Sequence, residues 1–209
     1  GPMLASTDEF TITITGRGGH ASMPHETVDP IVVGAAMVQA LQTIVSRNVD
    51  PLDSAVVSTT RFHAGDAYNI IVPAAEVAGT VRTLRAPVRD FVDARIRAIA
   101  AQIAAAHGAT AVVDYDRNYP VTRNHPEQAA FAAEIASEIV GEARVDRETP
   151  PIMAGEDFSY MLEARPGAFI FIGNGDSAGL HSPLYDFDDA AIPFGSSYFV
   201  RLVEKAMPA

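Results

Sequence analysis

Residues 10–15 alternate, with Phe10, Ile12 and Ile14 on one side and Thr11, Thr13 and Thr15 on the other, which is the pattern of a strand with one buried face. Asp29-Pro30 then supplies a capping carboxylate and a proline suited to the first helical position, and Ile31, Ala35, Val38, Leu41 and Val45 predict a helix to about Asn48, buried along that stripe. Residues 55–63 and 76–84 read as strands rich in Val and Thr, the second with Arg82 facing away from Val81 and Thr83. Pro87 opens a second helix with Val88, Val92, Ile96, Ile99 and Ile103 as its stripe and Gly108 as its terminator, and a fourth strand follows over residues 110–118. The order strand, helix, strand, strand, helix, strand predicts a ferredoxin-like βαββαβ domain: one four-stranded antiparallel sheet with both helices on one face. Its other face and its edges are left for a partner.

After Tyr119-Pro120 the character changes. Pro126 starts a helix through Phe131, Ile135 and Ile139 that stops at Gly141, and a second strand is expected near residues 143–147. A joint at Pro150-Pro151 follows, then the acidic pair Glu156-Asp157 at a helix start. Residues 168–172, Ala-Phe-Ile-Phe-Ile, show no alternation and predict a strand buried on both faces. The last helix is expected from Pro193, burying Phe199, Leu202, Val203 and Ala206. One or two strands are fewer than a sheet normally holds. Residues 120–209 are therefore expected to complete a mixed α/β sheet whose other strands come from upstream of Gly1 or from another chain, with residues 7–119 as a separate domain. Gly1-Pro2-Met3 is compatible with a tag-cleavage scar or with the interior of a longer protein.

Composition narrows the partners. The 209 residues are 48% hydrophobic and 20% charged, ordinary for a globular protein, and the net charge of −11 speaks against nucleic acid or an anionic membrane. No apolar run long enough to cross a bilayer and no basic-then-apolar leader stands out. Without cysteine there is neither a disulfide framework nor a thiolate metal site, so any metal must be held by His, Asp or Glu, and a cytoplasmic location is expected. Two loops carry candidate chemistry. His181 lies beyond a strand end, where α/β enzymes keep their active sites, and His20 follows three glycines within four residues, which permit backbone approaches a side chain would block. His25, His63, His107 and His125 read as ordinary surface or structural residues.

Six motifs occur together. They are Gly18-Gly19-His20-Ala21-Ser22-Met23-Pro24-His25, Val28-Asp29-Pro30, the run from Gly65 through Asn69 to Pro73, Gly79-Thr80-Val81-Arg82-Thr83, Gly155-Glu156-Asp157-Phe158, and the run from Gly179 through His181 to Phe187. In this order they resemble the hippurate hydrolase and indole-acetyl-amino-acid hydrolase group, within the aminoacylase and carboxypeptidase family of metal-dependent amidohydrolases. The resemblance implies an α/β catalytic domain holding two divalent metals (zinc, manganese, cobalt or nickel), interrupted by a ferredoxin-like lid that forms a homodimer. By the same resemblance His181 is a metal ligand, His20 reaches the partner's active site to stabilise an oxyanion, Asn69 and Arg82 hold the substrate through its carboxylate, and Glu156 lies beside the pocket. The implied reaction is hydrolysis of an N-acyl amino acid or peptide by metal-activated water. The family's other metal ligands and its general base have no counterpart here, and since a catalytic site needs about three protein ligands, the chain is expected to be inactive alone. Two alternatives stay open: a carboxypeptidase or dipeptidase on the same scaffold, and a non-catalytic dimerisation module that lacks the metal domain.

Overall fold

The computed structural model describes residues 1–208 and divides into two compact units, one comprising Pro2–Thr122 with Pro151–Tyr160, the other Gly1, Arg123–Pro150 and the chain from Met161 onward. In chain order the strands of the first unit are β1 (Pro2–Leu4), β2 (Ser6–Thr15), β3 (Gly19–His20), β4 (Ala55–His63), β5 (Ile70–Ile71), β6 (Ala74–Thr83) and β7 (Thr110–Arg117), with β8 (Thr122–Arg123) at its end. Helix α1 (Pro30–Thr43) lies between β3 and β4, and α2 (Ala86–Ala106) between β6 and β7. Strands β4, β6, β2 and β7 form one sheet in that order, every neighbouring pair antiparallel. The strictly alternating residues of β2 set its two faces. Phe10, Ile12 and Ile14 join Val77 and Val81 of β6, Val33, Met37 and Leu41 of α1, and Val88, Val92 and Ile96 of α2 in a single core. The opposite face carries Glu9, Thr11 and Thr13 beside Thr80 and Arg82.

Helix α1 begins where Asp29 accepts a hydrogen bond from Ile31 N at 2.8 Å, but its buried stripe differs from the one the sequence suggests. Val33, Gly34, Met37, Leu41 and, in the π-helical turn Ile44–Asn48, Ile44 face the core, whereas Ile31, Ala35 and Val45 are exposed. The helix is apolar on two faces, so periodicity alone does not fix which one meets the sheet. By length and composition the run Pro30–Asn48, at mean hydropathy 1.2, is also long and apolar enough to cross a membrane, contrary to the expectation that the chain has no such run. Its fully buried Val33, Met37, Leu41 and Ile44 belong to the core of the sheet. Helix α2 follows its expected stripe, and Gly108 ends it at φ +75°, a conformation that a β-carbon disfavours.

Strand β2 starts earlier than its alternation shows, because Ser6, Thr7 and Asp8 are buried polar residues with partners. Asp8 is fully buried. Its carboxylate accepts from Arg89 Nε at 2.9 and 3.1 Å, from Arg89 Nη2, and from the Tyr115 hydroxyl at 2.8 Å. Burial first, then the hydrogen bond and charge of Asp8, push the Tyr115 hydroxyl above its usual range. Arg89 also donates to Asn118 O at 3.3 Å, and the Tyr160 hydroxyl donates to the same oxygen at 3.1 Å. The network thus joins β2, α2, β7 and the segment that ends at Tyr160.

The second unit contains α3 (Pro126–Val140), most of α4 (Phe158–Ala164) and α5 (Ala191–Ala206). Ala132 and Ile135 of α3 pack on Tyr198 of α5, with Phe131 and Leu202 at the margin, and Glu138 pairs with Arg201 at 2.6 Å and Lys205 at 2.9 Å. Gly141 stops α3 at φ +84°. Three expectations fail here. Residues 143–147 form no strand, Glu142–Arg144 being a 3₁₀ turn instead. Residues 168–172 form no strand either, and Ile170, Phe171 and Ile172 are exposed, because none of the described residues pairs with them as a neighbouring strand. In α5, Phe199, Val203 and Ala206 are exposed, and Ala191 and Tyr198 are the buried residues. Phe169 is held by a side chain rather than a strand: Asn124 Oδ1 accepts from Phe169 N at 2.7 Å and Asn124 Nδ2 donates to Phe169 O at 2.8 Å.

Candidate functional site

Beyond Thr15 the chain is steered by a short ladder. Gly16 N donates to Pro73 O at 2.9 Å, β3 pairs with β5 so that His20 lies opposite Ile70, and Ala21 N donates to Asn69 O at 3.0 Å. The glycines allow this approach, since a β-carbon on Gly18 would come within 2.7 Å of Ile71 O. The ladder brings His20 and Asn69 to one end of the sheet, both exposed. The His20 ring is itself anchored. Its Nδ1 lies 3.1 Å from Ser22 N and 2.7 Å from Ser22 Oγ.

Arg82 and Glu156 sit elsewhere. Arg82, half-buried in β6, lies directly opposite Thr7 of β2 and Val56 of β4. Among the described residues no carboxylate or carbonyl takes its guanidinium, whereas Arg61 pairs with Glu76 at 2.8 Å, Arg85 with Asp53 at 2.6 Å and Arg97 with Asp93 at 2.8 Å. A half-buried guanidinium without a counter-charge is suited to an incoming anion. Gly155 packs on the Thr7 methyl, and Ala5 N donates to Ala154 O at 2.8 Å, which puts Glu156 at this end too. Glu156 Oε1 accepts from Phe158 N at 3.2 Å at the start of α4. The Ser159 hydroxyl beside it is fully buried and has no hydrogen-bond partner among the described residues.

The two ends are far apart. Thr7, level with Arg82, and Thr15, level with Ala74, are separated by eight residue steps of β2, or about 26 Å at ~3.3 Å per residue. One copy of the chain therefore does not bring Arg82 to the same small substrate as His20 and Asn69.

His181 belongs to the second unit, in a turn, exposed, and at φ +66°. Histidine is among the few non-glycine residues that accept the left-handed region. The surrounding loop is tied by Asn174, which donates to Asp186 O at 2.8 Å and accepts from Asp188 N at 2.8 Å. Among the described residues no three His, Asp or Glu side chains group to hold a metal. The described residues therefore do not by themselves supply the three protein ligands of a catalytic metal centre. Two of the other histidines have local roles: His107 Nδ1 meets Ile103 O at 2.9 Å, and His125 Nδ1 accepts from Gly167 N at 3.2 Å. Ser22 lies inside the His20 motif, and a hydroxyl two residues from a candidate histidine is a signal legible in the sequence. Asp8 and Arg89 gave none, being far apart in the chain.

The model of peptidase family M20/M25/M40 matches residues 8–205. The chain belongs to this family. Among its M20 relatives, the hippurate hydrolase of Campylobacter jejuni is 39% identical over 205 residues, covering 98% of this chain and 54% of that protein. The N-acetylcysteine deacetylase of Bacillus subtilis is 38% identical over 202 residues, covering 97% and 52%. A crystal structure of a dinuclear metal-binding M20 peptidase from Bacillus subtilis superposes with a TM-score of 0.78 at 30% identity, covering 99% of this chain and 51% of that one. The fold is thus the mixed α/β fold of M20 peptidases, and the chain spans about half the length of the relatives it matches.

Proposed function

We propose that these residues form a ferredoxin-like lid and the C-terminal part of the catalytic domain of a metal-dependent amidohydrolase that releases an amino acid from an N-acyl conjugate. The observation that carries this reading is the family match to hippurate hydrolase and N-acetylcysteine deacetylase across nearly the whole chain, together with a half-buried, unpaired Arg82 suited to an amino-acid carboxylate. In this reading His181 is one metal ligand, and His20 donates a hydrogen bond to the developing oxyanion. The separation of His20 and Asn69 from Arg82 supports a homodimer in which each site takes His20 and Asn69 from one protomer and Arg82 from the other. The exposed apolar residues Ile31, Val32 and Val45 of α1 and its following turn are consistent with such a contact.

Amino-acid release from a panel of N-acyl amino acids by the full-length protein with added divalent metals tests the proposal. Release is expected, with His20→Ala lowering kcat by about a hundredfold and Arg82→Ala acting mainly on KM for conjugates with a free carboxylate. No release from any conjugate would overturn it. A carboxypeptidase activity is the second reading, favoured by 38% identity over 174 residues to thermostable carboxypeptidase 2 of Saccharolobus solfataricus. Peptides in the same panel separate the two.

A further inference from the structure

We infer that Ser22 is a positioning residue that holds His20 in one tautomer, with its ring proton on Nε2. A backbone N–H can only donate, so the 3.1 Å contact from Ser22 N makes His20 Nδ1 an acceptor. The Ser22 hydroxyl, 2.7 Å from the same nitrogen, then donates as well. In neutral imidazole an accepting Nδ1 leaves the proton on Nε2, the ring nitrogen with no protein partner among the described residues. Everything around the ring holds this arrangement in place. His20 is paired with Ile70, Met23 N donates to His20 O at 2.8 Å, and Ala21 N donates to Asn69 O, so the short turn that carries Ser22 back over the ring is fixed at both ends.

The inference rests on the proposed role of His20 and sharpens it. A neutral imidazole with Nε2–H outward is a hydrogen-bond donor to an oxygen that gains negative charge. The same tautomer has no lone pair at Nε2, so His20 in this state cannot take a proton from water there. Ser22 thereby selects electrostatic stabilisation over general-base work for this histidine.

Long-range proton–nitrogen NMR on the full-length protein labelled with 15N-histidine reads the tautomer directly, with or without metal. The expected result is an unprotonated Nδ1 and a protonated Nε2 for His20, with a shift toward a mixed population in Ser22→Ala. In the metal-loaded enzyme Ser22→Ala is expected to lower kcat about fivefold, the worth of one hydrogen bond of ~1 kcal/mol, with KM little changed. Ser22→Thr, which keeps the hydroxyl, restores it, and in a His20→Ala background Ser22→Ala has no further effect. A His20 protonated at Nδ1, or an equal loss from Ser22→Ala with and without His20, overturns the assignment. An inactive parent enzyme whose His20 shows the Nε2–H tautomer would refute the hydrolase reading and leave the role of Ser22 in setting the tautomer standing, so the two failures are distinguishable.

Discussion

Replacing Arg89 by alanine should strongly destabilise the first unit, because this side chain, only 12% exposed on α2, is the counter-charge of a buried carboxylate. The guanidinium makes two Nε contacts at 2.9 and 3.1 Å and an Nη2 contact to a carboxylate, that of Asp8, which is fully buried. After the substitution Asp8 keeps the Tyr115 hydroxyl at 2.8 Å and loses its counter-charge. Breaking a buried pair from one side costs about 3–5 kcal/mol, because the remaining charge is left desolvated. For a chain of this size that corresponds to a fall in Tm of roughly 10 °C. Urea titration followed by circular dichroism would measure it as a lower midpoint. The double substitution Asp8→Leu with Arg89→Leu removes both charges and should recover most of the loss, since well-packed apolar residues replace a buried ion pair at little cost. An Arg89→Ala variant within about 1 kcal/mol of the parent, or a double variant as unstable as the single one, would refute the account of this network.

Tyr115→Phe should lower stability at neutral pH by about 1.5–3 kcal/mol through loss of the bond to the Asp8 carboxylate. Because the folded-state pKa of Tyr115 is raised, its contribution is present below the unfolded value of about 10 and is lost as pH rises beyond it; denaturation titrations should show an alkaline decline in the parent that the phenylalanine variant lacks. Gly155→Ala would drive a β-carbon into the Thr7 methyl and should cost about 1–3 kcal/mol. Thr7→Ser in the same chain should relieve it, and an unchanged melting temperature for the single variant would show that the segment before α4 yields freely.

The sequence made the order of elements around the four-stranded sheet and the second helix legible because local signals and the core agreed there: Pro87, the stripe from Val88 to Ile99, and Gly108 all act over short range. Where two faces competed, as in α1, periodicity named Leu41, which is buried, and Val38, which is partly so, together with the exposed Ile31, Ala35 and Val45, since only the sheet selects Val33 and Met37 over those three. Ser6 to Asp8 were opaque for another reason. Buried polar residues are stable only through partners such as Thr83 and Arg89, which lie far along the chain. Residues 168–172 look like a strand by composition, and composition cannot supply a neighbouring strand. For the candidate site, the motifs named His20, Asn69, Arg82, Glu156 and His181, but not that the first two share one end of the sheet while Arg82 and Glu156 lie near Thr7 at the other.

The length of β2 has a further consequence. If the sheet keeps a protomer's His20 away from its own Arg82, then in the proposed dimer no site of a solitary protomer is complete, however well it folds. Turnover would then obey mass action between protomers. On dilution below the dissociation constant, activity per chain would fall in proportion to concentration, and total activity as its square, so the reach of a ten-residue strand would make the reaction report how much of the protein is present.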